Sequence, residues 1–380
     1  MFFAYFAFAV PAITFYSPTD ANNSFVSRTW TYVNTSISDA GNVTAFIDFD
    51  RGLVGWWRFN NESGENSTKF RDWSAYGNNG TCVGSNCPTN TTGKFGNALD
   101  FDGVDDYVVV PYSASLEPDY ITVEAWIYPP TGIPQGYFVS NWNSSSNGSF
   151  LFQITLTGNL QADIANATEG IATSQMSISK DAWHHTAITY NGTDFKLYLD
   201  GNLSDTKNVT GILRKDSNPL FIGNRFDLKR NFSGNVDEVK IWNRALSPEE
   251  INASYNAGVY RLYHNFTNTP DGIYNYTAYA QDLAGNVNQT ATKQVVIDAN
   301  PPYGIYACQN LTRAGGSYIL MQNVSSAGTC FTIKENNVTL DGAGYTINYS
   351  KTAAGYAIDN QLGYNFTTIK NANILQGNST

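Results

Sequence analysis

Four kinds of residue in this 380-residue chain could do chemistry: paired carboxylates, histidines, cysteines, and aromatic side chains on polar loops. Cleavage of a glycosidic bond needs two carboxyl groups placed on either side of it. No Glu-x-Asp-x-x-Glu string places such a pair on one strand. The nearest string is Val236-Asp237-Glu238-Val239. Neighbours along a strand point to opposite faces, so these two carboxylates are not expected to flank one bond. Gly-x-Ser-x-Gly, His-Glu-x-x-His and a phosphate-binding glycine loop are also missing. The residues point to a chain that binds rather than one that catalyses.

Asp100, Asp102, Asp105 and Asp106 crowd one turn-rich stretch, and calcium takes hard oxygen ligands of this kind. Strand parity puts Asp237 on the side of Val239 and Ile241, and a carboxylate on an apolar face needs compensation. One expectation is therefore a calcium site shared by Asp102 and Asp237, helped by backbone carbonyls near Gly103. The other is that these Asp residues cap turns by accepting backbone N–H bonds. The cysteines form two local pairs, Cys82 with Cys87 and Cys308 with Cys330, neither with the Cys-x-x-Cys spacing of zinc or redox motifs. In an exported chain they read as two disulfides; the alternative is free buried thiols. Trp142 lies in the polar run NWNSSSNGS, with Tyr137 close by. An aromatic on an exposed loop can stack its apolar face on a sugar ring, whereas one folded back only packs the sheet. Both readings stay open.

Charge narrows the partners. The formal net charge is −10, with no run of Lys or Arg, which argues against nucleic acid or an anionic membrane surface. Charged residues make up 14%, against about 25% in ordinary globular chains. Asn, Ser, Thr, Gly and Tyr take their place, a mix that suits short strands joined by polar turns. Of 43 Asn, 24 begin an Asn-x-Ser/Thr sequon, where the Ser and Thr content predicts roughly seven. Such sequons are N-glycosylation acceptors in exported chains, so the expected location is extracellular or cell-surface. The opening run MFFAYFAFAVPAITFY is apolar but broken by Pro11 and lacks a basic start. It falls short of the roughly 20 helical residues that cross a bilayer. It reads as the tail of a signal segment or a truncated start, and no membrane insertion is expected.

Helical periodicity is nearly absent, and period-two alternation recurs. Ile121, Val123, Ala125 and Ile127 alternate with Thr122, Glu124, Trp126 and Tyr128. HTAITY–NGTD–FKLYLDG reads as a hairpin turning at Asn191-Gly192. One helix is marked by Ser247 as N-cap, Pro248 at its first position, Glu250 completing a capping box, and Gly258 after its end.

In order, the middle of the chain carries LVGWWRFNN, ALDFDGVDDYVVVP, ITVEAWIYP, WHHTAITYNGTDFKLYLDG, LFIGNR and FSGNVDEVKIWNRALSPEEI. From about Leu53 to Gly258 this resembles the laminin-G-like, concanavalin-A-like jelly-roll family. The resemblance implies an all-β sandwich of two antiparallel sheets. It implies a calcium at the sandwich rim, near the motif matching Phe101-Asp102-Gly103, and a packing role for Trp183, His184 and His185 on a strand. DGIYNYTAYAQDLAGN resembles the late strands of immunoglobulin-like surface repeats. Residues 11–50 and 259–298 are each marginal alone, so they are expected to make one split immunoglobulin-like sandwich with 53–258 inserted as an independent jelly roll. After an apolar segment at 1–10 and these domains, residues 301–380 resemble the opening coils of a right-handed parallel β-helix. Two coils are too few for stability, so the chain reads as part of something longer.

The function expected is binding or adhesion through a glycan or glycoprotein, without catalysis. The alternatives are a structural spacer of a cell envelope and an ancillary module of a larger polysaccharide-degrading enzyme. Fold resemblance alone does not separate them.

Overall fold

The computed structural model describes residues 10–38, 43–132, 136–143, 148–166, 170–256, 261–297 and 303–377. Among these, strands dominate, and the α-helix Pro248–Asn256 is accompanied only by two short 3-10 turns. Contacts divide the chain into two compact units. The first comprises Met1–Ser24, Thr31–Phe266 and Ile273–Val295; the second Phe25–Trp30, Thr267–Gly272 and Val296–Thr380.

The first unit contains the expected antiparallel jelly roll. Its back sheet runs, edge to edge, Gly170–Ser177, Asn159–Asn166, Phe150–Ile154, Gly136–Ser140, Leu220–Ile222, Val108–Val110, Gly80–Thr81 and Lys69–Phe70. Its front sheet runs Asn202–Asn208, Asp194–Leu199, His184–Tyr190, Ile121–Tyr128, Ser233–Trp242, Asn97–Asp102 and Thr89–Thr92, and Leu53–Trp57 also pairs with Ser233–Trp242. The core lies between them. Ile121, Val123, Ala125, Ile127, Ile188 and Leu197 of the front sheet meet Phe138, Phe150, Phe152 and Ile222 of the back. The alternation read along Ile121–Tyr128 is thus the division between core and outer face.

The turn chemistry follows the sequence. Asn191 Oδ1 accepts the N–H groups of Thr193 and Asp194 at 2.9 and 2.7 Å. Gly192 sits at φ +92°, where a Cβ would come within 2.5 Å of the Tyr120 ring. The capping box is formed: Ser247 N–H donates to Glu250 Oε2 at 3.0 Å, and Glu250 N–H to Ser247 Oγ at 3.3 Å. Ile251 of the helix packs in the cluster holding Ala187, Tyr198 and Trp242, and so covers the outer face of the front sheet. Gly258 lies outside the described residues.

Strands on either side of the jelly roll pair with each other. Thr31–Ser38 lies between Ala12–Phe15 and Arg261–Phe266. Val43–Phe49 pairs with Gly272–Asp282, with Phe49 opposite Tyr276 and Val43 opposite Asp282. These strands do not stand apart from the jelly roll. Phe46 packs against Trp56, Trp242 and Tyr279 at ring-centroid distances of 5.1, 5.6 and 4.9 Å. A shared aromatic cluster is the physical reason that flanks and jelly roll fall in one compact unit rather than two.

In the second unit the strands are short and parallel. Tyr303–Ile305, Ser317–Leu320, Thr339–Asp341 and Thr368–Lys370 form one sheet. Asn310–Leu311, Phe331–Ile333 and Ile358–Asp359 form a second, and Val324–Ser325, Thr346–Tyr349 and Asn373–Gln376 a third. Leu311, Leu320, Val324, Phe331, Leu340 and Ile347 fill the space between them.

Candidate functional site

Both cysteine pairs are disulfides. Cys82–Cys87 has its Cα atoms 5.1 Å apart and Cys308–Cys330 4.5 Å, inside the range that bridging requires.

The structure does not bring Asp102 and Asp237 together. Asp102 lies opposite Ser233 in the antiparallel ladder, and Asp237 is four residues further along. At roughly 3.3 Å per residue that is about 13 Å, too far to share an ion. Asp237 also faces away from the core. The register of Ser233–Trp242 against Ile121–Tyr128 shifts between Trp126 and Glu124, and Glu238 takes a left-handed φ of +51°. This bulge ends the two-residue parity. Val236, Val239 and Ile241 enter the core, while Asp237 Oδ2 accepts the Phe95 N–H at 2.9 Å. Glu238 accepts Trp56 Nε1–H at 2.6 Å and the Gln281 amide. Burial, and then the Glu238 charge, raise the Asp237 carboxyl well above its usual range. Glu238 and one oxygen of Asp237 are thus committed to neighbouring groups on the outer side of the sheet, and Asp237 Oδ1 is buried without a partner.

Asp102, Asp105 and Asp106 do converge, with carboxylate oxygens within 4.8 Å of one another. They also cap their own turn. Asp102 Oδ1 accepts Val104 N–H at 2.7 Å, and Asp106 Oδ2 accepts Asp102 N–H at 2.9 Å. Gly103, at φ +78°, closes that turn. Burial first, and then the neighbouring carboxylates, raise the Asp106 carboxyl.

His184 and His185 make packing and hydrogen-bond contacts within the jelly roll. His184 hydrogen-bonds Ser179 and Asp200 at 2.6 and 2.9 Å. His185 is buried against the Trp126 ring, and burial lowers its pKa to about 3.

Trp142 is not an exposed platform: it is 3% exposed, and Tyr137 6%. The two pack with Leu151 and Ala165 in a cluster separate from the main core. Residues 144–147 of the polar run lie outside the described residues, and hydrogen bonds tie its two ends to each other. Asn141 Oδ1 accepts the N–H groups of Ser149 and Phe150, each at 3.0 Å, and Trp142 N–H donates to Ser140 Oγ at 3.0 Å. Gly148 lies so close that a Cβ there would be 2.6 Å from Trp142 Cα.

The cluster nonetheless marks the outer face of the back sheet. Tyr137 lies opposite Gln153, Gln153 opposite Gln161, and Leu151 opposite Asp163. Gln153 is 7% exposed, and its Oε1 has no hydrogen-bond partner. Asp163 accepts the Gln161 amide at 3.0 and 3.1 Å, and burial raises its carboxyl. The Arg225 guanidinium lies 5.4 Å over the Tyr137 ring and is paired with Asp227. Buried aromatic rings, amides, a carboxylate and a guanidinium thus share one sheet face. Gln153, Gln161 and Asp163 were not singled out by the sequence reading. Their signal was the alternation of FLFQI and NLQADIAN, in which polar residues recur on one face of adjacent strands.

Residues 102–252 match the family profile described as the concanavalin A-like lectin/glucanases superfamily. Over 88 residues the chain is 31% identical to sushi, von Willebrand factor type A, EGF and pentraxin domain-containing protein 1 of Rattus norvegicus, covering 20% of this chain. The Mus musculus protein of that name is 30% identical over 86 residues. The matched stretch spans 2% of the length of each of these relatives. Among solved structures, domain 4 of AbnA, an extracellular arabinanase from Geobacillus stearothermophilus, in complex with arabinotriose, is similar at 17% identity and a TM-score of 0.43, over 53% of this chain and 98% of that one. The botulinum neurotoxin serotype D ligand-binding domain in complex with N-acetylneuraminic acid is similar at 16% identity and a TM-score of 0.44, over 55% and 51%. Residues 102–252 form a domain of the concanavalin A-like lectin/glucanase superfamily.

Proposed function

We propose that this is a non-catalytic, extracellular binding module, which recognises a neutral or weakly charged glycan, or a glycoprotein carrying one, on the outer face of its back sheet. The observation that carries the reading is Gln153. It is a buried amide whose carbonyl has no partner, between Tyr137 and Gln161 and near Asp163. A buried polar atom without a partner calls for an explanation, and a sugar hydroxyl supplies the missing donor. Sugars pair apolar C–H faces with many hydroxyls, so they suit aromatic rings set among amides and carboxylates. In this reading Gln153, Asp163 and Arg225 are the polar contacts, and the buried Tyr137 and Trp142 rings support the strands that carry them. The net charge of −10 disfavours strongly anionic polysaccharides.

The test compares Gln153→Ala and Asp163→Asn with the parent on immobilised neutral glycans. Both variants are expected to lose binding at an unchanged melting temperature. Full binding by both would place any glycan elsewhere. Trp142→Ala is a poorer probe, because emptying a buried aromatic site costs about 3–5 kcal/mol of stability.

The same proposal extends to the parts around the site. The paired flanking strands are one split immunoglobulin-like domain, and the stacked parallel strands of the second unit are the coils of a β-helix. Calcium, where it binds, is held by Asp102, Asp105 and Asp106 rather than by Asp237, since those three carboxylates converge within 4.8 Å and Asp237 stands apart from them. Added calcium should then raise the melting temperature of the parent by mass action and not that of Asp106→Asn. No rise in the parent would remove the metal from the account.

A further inference from the structure

A concavity of about 370 Å³ opens beside the aromatic cluster that joins the jelly roll to the flanking strands. Trp56, Arg58, Glu62 and Trp73 line it from the jelly roll, and Tyr279, Asn286 and Gln289 from the later flank. Neither part makes this wall alone. Arg58 is 4% exposed. Its Nη1 pairs with Glu62 at 3.0 Å, and its Nη2 donates to the Gly285 carbonyl. Its Nε–H is buried with no hydrogen-bond acceptor; the nearest carboxylate oxygen, of Glu238, is 3.8 Å away. Trp73 Nε1–H is likewise buried without an acceptor. The Arg58 guanidinium lies 5.1 Å over the Trp73 ring.

Arg58 and Trp73 both line this cavity, and each holds a buried N–H without an acceptor, which a small side-chain shift would turn onto the acceptor oxygens of a ligand. The local charges offset each other, Arg58 against Glu62 and Glu238, so nothing there selects for an ion. The volume falls in the range of small-molecule sites, about 300–1,000 Å³. Indole and phenol rings stand beside amide and carboxylate groups that can meet hydroxyls. We infer that this cleft is a second saccharide site, taking one neutral sugar unit between the jelly roll and the flanking strands. The Arg58 Nε–H and Trp73 Nε1–H donate to its oxygens, and Glu62, Asn286 and Gln289 meet its hydroxyls. The inference rests on the glycan-binding reading but adds a contact remote from the residues that define the back-sheet site.

The experiment is a calorimetric titration of the full chain with galactose, mannose, N-acetylglucosamine, maltose and lactose. Trp73→Phe keeps an aromatic ring and removes the donor. Gln289→Trp, at an exposed rim position, fills the cleft without touching the core. Gln153→Ala reports on the back sheet. The expected result is a saccharide whose Kd rises roughly five- to tenfold in Trp73→Phe, as for one lost hydrogen bond. Its cleft binding is abolished in Gln289→Trp at an unchanged melting temperature, and is unaffected by Gln153→Ala. Parent-like binding by both cleft variants overturns the inference. If only Gln153→Ala weakens binding, the cleft inference fails while the glycan reading stands. If the parent binds none of these sugars, both fail.

Discussion

Glu124 is 1% exposed, with its carboxyl beside the Ser254 hydroxyl and the Lys240 ammonium. Burial raises its pKa from 4.5 to about 7, against the opposing pull of Lys240. The folded state therefore holds a proton between those values that the unfolded state has released. The stability this confers is fully present below pH 4.5 and is lost as pH rises to about 7. Glu124→Gln should flatten that slope. At pH 8 it should be more stable than the parent by up to about 3 kcal/mol, at 1.36 kcal/mol per pKa unit. Denaturant unfolding at pH 4.5 and pH 8 checks this, and an unchanged slope would contradict it. At this scale the sequence was legible where a side chain acts on near neighbours, as in the cysteine pairs, the capping box and the Asn191 turn. It was not legible for Trp142, because Asn141 beside it binds Ser149 and Phe150 and the ring packs with Leu151, and the polarity of the surrounding sequence does not report that.

Elements carry the period-two signal well until a bulge interrupts it. Ile121–Tyr128 reads correctly from one end to the other, whereas Ser233–Trp242 reads correctly only on each side of Glu238. A residue at φ +51° in mid-strand has no sequence marker when it is Glu rather than Gly, which is why Asp237 was expected on the wrong face. Two predictions belong here. Ser247→Ala removes the cap that receives Glu250 N–H and should cost about 1 kcal/mol, read as a shift in the denaturation midpoint. Opening Cys308–Cys330, separated by 22 residues, should cost about 3 kcal/mol by the loop-entropy relation. Opening Cys82–Cys87, separated by 5, should cost about 1 kcal/mol less than that. Equal losses from the two Cys→Ser pairs would contradict the ranking.

Across the first unit, Phe46 of one flank is packed between Trp56 and Trp242 of the jelly roll and Tyr279 of the other flank. Phe46→Ala should cost about 3–5 kcal/mol and loosen both parts together. Hydrogen exchange should rise in Leu53–Trp57 and in Gly272–Asp282 alike, and a rise confined to one of them would mean the two parts are uncoupled. The strand content of both flanks and of the middle was legible from alternation and turn residues. Their joint packing was not, because no local pattern in the sequence announces which strands an aromatic such as Phe46 will meet 200 residues away. The central claim is glycan recognition by the back-sheet face, and a glycan-array screen of the full chain tests it most directly. The account predicts binding to one or more neutral glycans in the parent and, in Gln153→Ala, the loss of those that Gln289→Trp leaves bound. A blank array for correctly folded parent protein would contradict it.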